Sequence, residues 1–270
     1  MEQQSELDFI VQPEDPFVDF FRIDLSYTRL RTFMECRRKY KLLYVEKIET
    51  EKTPALVLGG AAHHALEQYA KEGSTSPEEL VGFFIERVER EIPLLDEEAI
   101  ANGVVMLNDW WNDQQEVTPA RLYDVEVYFE IPMGCARMRG YIDRLEVEPG
   151  EGKTIVKVID YKSGKSQLSE KGMKKDLQLP IYALAARHMY PGPEYEIQCG
   201  MYYLRTGLLR MVTFTDKELA RYRKRVEDWA NKIVNEEDFK PCWSDYTCRM
   251  CPLNGDYCDW PERRPRRGSG

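Results

Sequence analysis

Three consecutive stretches of two-residue alternation constrain this chain more than any other feature. Over residues 122–131, Tyr123, Val125, Val127, Phe129 and Ile131 share one parity. Tyr141, Leu145 and Val147 do so in Arg139–Val147, and Ile155, Ile159 and Tyr161 in Thr154–Lys162. Each stretch reads as a strand. Glu148-Pro-Gly-Glu-Gly152 suits a hairpin turn between the last two. Side chains two apart on a strand point to the same face. Asp160 and Lys162 therefore project together, and a hairpin brings Asp143 alongside. Two carboxylates and an ammonium at one spot suit a hard divalent cation and a polarised water. An Asp-x-Lys triplet is otherwise an ordinary solvated strand end, so the flanking helices decide its meaning.

The helices are punctuated by caps. Ser26 opens a first helix carrying Leu30, Phe33, Cys36, Arg37 and Tyr40. Gly59-Gly-Ala-Ala-His63 begins a small-residue helix that ends before Gly73. Its four small residues let the backbone approach a sheet closely, so His63 can reach a site there. Ser76-Pro-Glu-Glu79 and Thr215-Asp-Lys-Glu218 are capping boxes. The first opens one or two amphipathic helices running to about Gln115, with Trp110 and Trp111 read as core. A polar loop over Ser166–Lys175 precedes a helix near Asp176–Met189, where Gln178 and Tyr182 share a face. Tyr195–Arg205 and Leu208–Phe214 read as a second hairpin turning at Thr206-Gly207.

The formal net charge of −9 excludes broad electrostatic coating of nucleic acid but not a local groove. No apolar run approaches the roughly 20 residues that span a bilayer, and the acidic start is no signal peptide. A cytoplasmic protein without a membrane partner is expected. Seven cysteines, an odd number, disfavour a disulfide framework. Cys248-x2-Cys251-x6-Cys258 instead reads as thiolate ligation of zinc or an iron–sulfur cluster. The fourth ligand is Cys242, giving a local zinc site, or Cys36, joining the two ends of the chain. Cys135 and Cys199 read as small hydrophobes.

Taken together, these motifs resemble the PD-(D/E)XK nuclease superfamily, in particular its RecB-like branch with an iron–sulfur cluster, which includes the CRISPR-associated adaptation nucleases. The likeness lies in the order of Ser26–Cys36, Gly59–His63, Gly140-Tyr-Ile-Asp143, Asp160-Tyr-Lys162, Gln178-Leu-Pro-Ile-Tyr182 and the three C-terminal cysteines. It implies an α/β, restriction-endonuclease-like fold: a central mixed sheet flanked by helices, an N-terminal helical region and a C-terminal cysteine-rich metal-cluster segment. The implied layout is an arm (1–22), one nuclease domain (23–262) and a basic tail (263–270) ending in a fusion-like remnant. Within the domain lie a helical insertion (about 76–116), a core (about 120–235) and a cysteine segment (242–258) closed by Cys36. By the same likeness His63, Asp143, Asp160 and the Tyr161 carbonyl bind Mg²⁺ or Mn²⁺, and Lys162 serves the attacking water. Gln178 and Tyr182 steady the site, and Cys36, Cys248, Cys251 and Cys258 hold a 4Fe-4S cluster. The activity implied is a DNA exonuclease of recombination, repair or phage DNA metabolism, beside a strand-annealing or helicase partner. A catalytically silent binding module and a structure-specific endonuclease are the alternatives.

Overall fold

A computed structural model describes residues 21–90, 95–115, 122–241, 244–249 and 251–258. Cys242, nearly all of the arm and the basic tail lie outside them. The spine is the long strand β3 (Ala136–Pro149), in a six-stranded mixed sheet. Strand β2 (Leu122–Met133) pairs antiparallel along it, from Leu122↔Val147 to Met133↔Ala136. The opposite edge is shared. The short β1 (Ile23–Leu25) lies parallel to Ala136–Met138, and β4 (Thr154–Lys162) runs antiparallel to Arg144–Pro149. Between these two partners, residues 139–143 pair with neither. The sheet continues through β5 (Tyr195–Tyr203), parallel to β4, and β6 (Leu208–Thr213), antiparallel to β5.

At that gap the β2–β3 ribbon turns over. Met138 and Ile142 lie in the main core, and so does Leu145, of the opposite parity. Arg144 points the other way, its guanidinium donating to Gln114 and Tyr161. Across the ribbon Glu126 has φ +50°, a left-handed backbone rare for a glutamate. The expectation that Tyr141 shares a face with Leu145 and Val147 is therefore corrected: Tyr141 is 55% exposed and Leu145 buried.

Helices cover both faces. On one, α1 (Tyr27–Glu35), α7 (Gln178–Met189) and α8 (Asp216–Val234) pack on Val156, Val158, Met201 and Tyr203. On the other, α3 (Pro54–Lys71), α4 (Pro77–Glu89) and α5 (Glu97–Gln115) form a second apolar cluster with Ile159, Tyr161, Tyr202 and Leu204. Trp110 is buried in it. Both capping boxes form, at Ser76 and Thr215.

Two helix expectations need correction. The first helix does not continue through Cys36. It stops at Glu35, Cys36 is extended (φ −160°, ψ 115°), and α2 (Arg37–Tyr40) starts afresh with the Cys36 sulfur capping the Lys39 N–H at 3.5 Å. The segment expected as a polar loop contains α6 (Glu170–Lys175), capped by Ser169. Pro180 is the third residue of α7, where its missing N–H breaks no helical bond. A short helix, α9 (Asp245–Arg249), carries Cys248 and precedes Cys251 and Cys258. Among the described residues no helix is long and apolar enough to cross a membrane.

Candidate active site

The gap in the β3 edge is where side chains replace the ladder. β3 leaves β4 after Arg144↔Ile159, and there the Asp143 Oδ2 accepts the Tyr161 backbone N–H at 2.8 Å. From above, α3 brings His63 to the same peptide unit. Its Nε2 lies 2.9 Å from the Tyr161 carbonyl oxygen, and its Nδ1 lies 3.4 Å from Asp143 Oδ2. The approach depends on one glycine. A side chain at Gly59 would meet the Ser163 hydroxyl at 2.8 Å, whereas Gly60 faces open space. Burial alone would lower the His63 pKa. The hydrogen bond and charge of Asp143, with Asp160 behind, outweigh it and raise the pKa to about 9.

Glu126 completes this group. His63, Glu126 and Asp143 each offer a ligand atom within 4.8 Å of the others. Burial, then the charges of Asp143 and Glu67, push the Glu126 carboxyl up to about 7. Sequence reasoning passed over Glu126 because it sits among Asp124, Tyr128 and Glu130 on the polar parity of β2. The signal available was Gly134, whose φ of +62° marks the β2–β3 turn. Counting outward from it sets Glu126 between the pairs Val125↔Arg144 and Val127↔Ile142, opposite Asp143.

A second group lies alongside. Asp160 is buried at the end of β4. Its Oδ1 accepts Gln178 Nε2 at 2.7 Å, and its Oδ2 lies 2.5 Å from Lys162 Nζ. Lys162 also donates to Gln178 Oε1 at 2.9 Å, so the amide of Gln178 is clamped at both ends. Burial raises the Asp160 pKa, and the Lys162 charge opposes it. Tyr182 is buried beneath, its hydroxyl accepting from Gln178 Nε2 at 3.3 Å. The ring of Phe129 meets Tyr182 edge-on at 5.9 Å, and a side chain at Gly140 would press on that ring at 3.0 Å. The glycine before Asp143 thus keeps room for the packing under Gln178. A further link was missed in the sequence: Tyr27 donates to Asp176 Oδ2 at 2.9 Å, and Asp176 Oδ1 accepts the Gln178 N–H at 2.8 Å.

Away from this centre, Cys36, Cys248, Cys251 and Cys258 line a single pocket with Arg38, Lys39 and Leu253. All four are free thiols. Cys199 is fully buried in the main core, which pushes its thiol pKa well up, and Cys135 packs against the same core.

This fold and these paired acid groups define a nuclease class. The profile of the PD-(D/E)XK nuclease superfamily matches residues 24–259. The chain belongs to that superfamily, and its mixed sheet between helical layers is the restriction-endonuclease-like fold. Among solved structures, a candidate exonuclease from Eubacterium rectale is similar, with a TM-score of 0.56 at 12% identity over 93% of this chain and 94% of that one. The protein SSO0001 aligns with a TM-score of 0.34 at 15% identity, over 80% and 91% of the two chains. No curated protein sequence matches.

Proposed function

We propose that this protein is a divalent-metal-dependent deoxyribonuclease, an exonuclease acting on DNA ends or single strands. One observation carries the reading. Asp160 is buried at the end of β4, and its Oδ2 faces the Lys162 ammonium at 2.5 Å. The Asp160 carboxylate offers about four lone-pair sites, and the Gln178 amide and the Lys162 ammonium use two of them, which leaves acceptor capacity for a hard cation. The carboxylate sits beside a second group, His63, Glu126 and Asp143, whose donor atoms already converge.

His63, Asp143, Asp160 and the Tyr161 carbonyl would hold Mg²⁺ or Mn²⁺, and Glu126 adds a further oxygen to this hard-donor set. A bound cation supplies a water of lowered pKa and a clamp on a phosphate oxygen. The chain does the rest. His63 gives up a proton to become a ligand. Lys162 has three donors, two of them directed at Asp160 and Gln178, and the third can reach a phosphate oxygen as negative charge develops there. Gln178 fixes Lys162 and Asp160 relative to each other. The attacking water forms a bond to phosphorus, the bond to the departing DNA oxygen breaks, and that oxygen takes up a proton.

The cysteine pocket supports a separate structural assignment, a 4Fe-4S cluster on Cys36, Cys248, Cys251 and Cys258. Cys36 lines the same pocket as the C-terminal three. Zinc with Cys242 is the alternative, and iron and sulfide analysis of anaerobically purified protein separates them. DNA-end processing in recombination or repair, beside an annealing or unwinding partner, is the setting that fits such an enzyme.

The test is a cleavage time course with Mn²⁺ or Mg²⁺ on end-labelled single-stranded and duplex DNA, with Asp160→Ala alongside. Metal-dependent shortening absent from the variant is expected. Intact DNA on every substrate, from folded protein, would leave the silent binding module instead.

A further inference from the structure

The β2–β3 ribbon carries a second feature on the strand positions next to the acid group. Tyr128 lies two residues beyond Glu126, and Tyr141 two residues before Asp143. The two tyrosines are directly paired across the strands. Their ring centroids are 5.3 Å apart, tilted by 57°, and the residues are 48% and 55% exposed. The Tyr128 hydroxyl donates to Glu130 Oε2 at 2.6 Å, which fixes its ring. Arg139, next along the same side of β3, keeps its side chain 45% exposed while paired to Asp24.

An exposed cross-strand aromatic pair can serve only to stabilise a ribbon. Its position here argues for more. Two residues of strand are about 7 Å, so the backbone positions of the two tyrosines lie one short step from those of Glu126 and Asp143. A base adjoining a phosphate at the acid group would meet a flat apolar face. Base-paired DNA keeps its bases stacked inward and cannot use such a face, whereas an unpaired strand can.

We propose that Tyr128 and Tyr141 form a base-stacking platform that makes single-stranded DNA the substrate at this centre, with Arg139 available to a neighbouring phosphate. The inference rests on the nuclease reading and names its substrate class. The stacking is indifferent to base identity, so the platform grips the strand without selecting sequence.

The test measures binding of a fluorescein-labelled dodecathymidylate to the full chain in EDTA, where no cleavage intervenes. Tyr128→Leu/Tyr141→Leu keeps an apolar pair but removes the rings, and should weaken binding about tenfold or more. Tyr128→Phe/Tyr141→Phe should bind as the parent does. An abasic strand of the same length, offered to the unaltered protein, should lose affinity comparably and needs no variant to fold. Unchanged affinity for the leucine pair and the abasic strand, with cleavage intact, overturns the platform and leaves the nuclease standing. A parent protein that neither binds nor cleaves DNA overturns both.

Discussion

The carboxylate centre and the cysteine pocket are both assembled from distant parts of the chain, yet they are held differently. In the first, β3, β4, α3 and α7 hold the polar groups through short contacts: Asp143 to the Tyr161 N–H, His63 to the Tyr161 carbonyl, Gln178 between Asp160 and Lys162. In the second, three thiols sit on a short C-terminal stretch with α9 and turns. The fourth comes from an extended residue between two helices. One centre is pre-organised by the sheet and its packing. The other is a meeting of chain ends whose fixity would come from the ligand itself.

Breaking each centre should therefore give opposite signatures. The largest effect is expected from Asp160→Ala: cleavage should fall by about a thousandfold or more, in line with loss of pre-organised charge stabilisation. Its thermal unfolding should stay cooperative, and a collapsed melt would mean that the site is not held independently of its ligands. Lys162→Ala should cost about a hundredfold in turnover while Mn²⁺ still binds by calorimetry. Cys36→Ser should do the reverse, losing bound iron or zinc and several degrees of melting temperature. Cleavage per folded molecule should survive in the cold. Retained metal in that variant would shift the fourth ligand to Cys242.

A pH series sharpens the contrast. His63 has a folded pKa of about 9 against 6.5, and Glu126 about 7 against 4.5, so the folded protein binds more protons than the unfolded chain across this range. Stability then falls as pH rises. The His63 contribution is complete below about 6.5 and lost through about 9, and the Glu126 penalty grows from about 4.5 to 7. Metal-free protein should melt progressively lower from pH 5 to 9, and Mn²⁺ should offset the loss at the alkaline end. A flat profile in EDTA would contradict the coupling of these groups. The smallest change belongs to Tyr27→Phe, which removes the donor to Asp176. About 1 kcal/mol of stability and a few-fold in kcat, with KM unchanged, are expected from paired melting and kinetic measurements.

The strands, caps and turns were legible because each rests on local pattern: alternation in β2 and β4, capping boxes at Ser76 and Thr215, Gly207 at the second hairpin. The approach of Asp143 to the end of β4 was legible through the hairpin. Four features were not. The break at Cys36 leaves no trace in a run whose apolar spacing continues through Tyr40. The turnover at Asp143 follows from the sheet splitting between β1 and β4, a long-range event that two-residue periodicity cannot report. Glu126 became visible only with the β2–β3 register in hand. The tie from Tyr27 to Asp176 joins residues 149 apart, and each alone reads as an ordinary surface group.

The left-handed glutamate has a consequence for protein engineering. Glu126 combines an unfavourable backbone angle with a carboxylate set among others, two costs that a glycine at the same position would remove together. A library screened for heat resistance alone would be expected to enrich Glu126→Gly and to discard a candidate ligand in doing so. The position thus offers a way to see selection for function against selection for durability at a single codon.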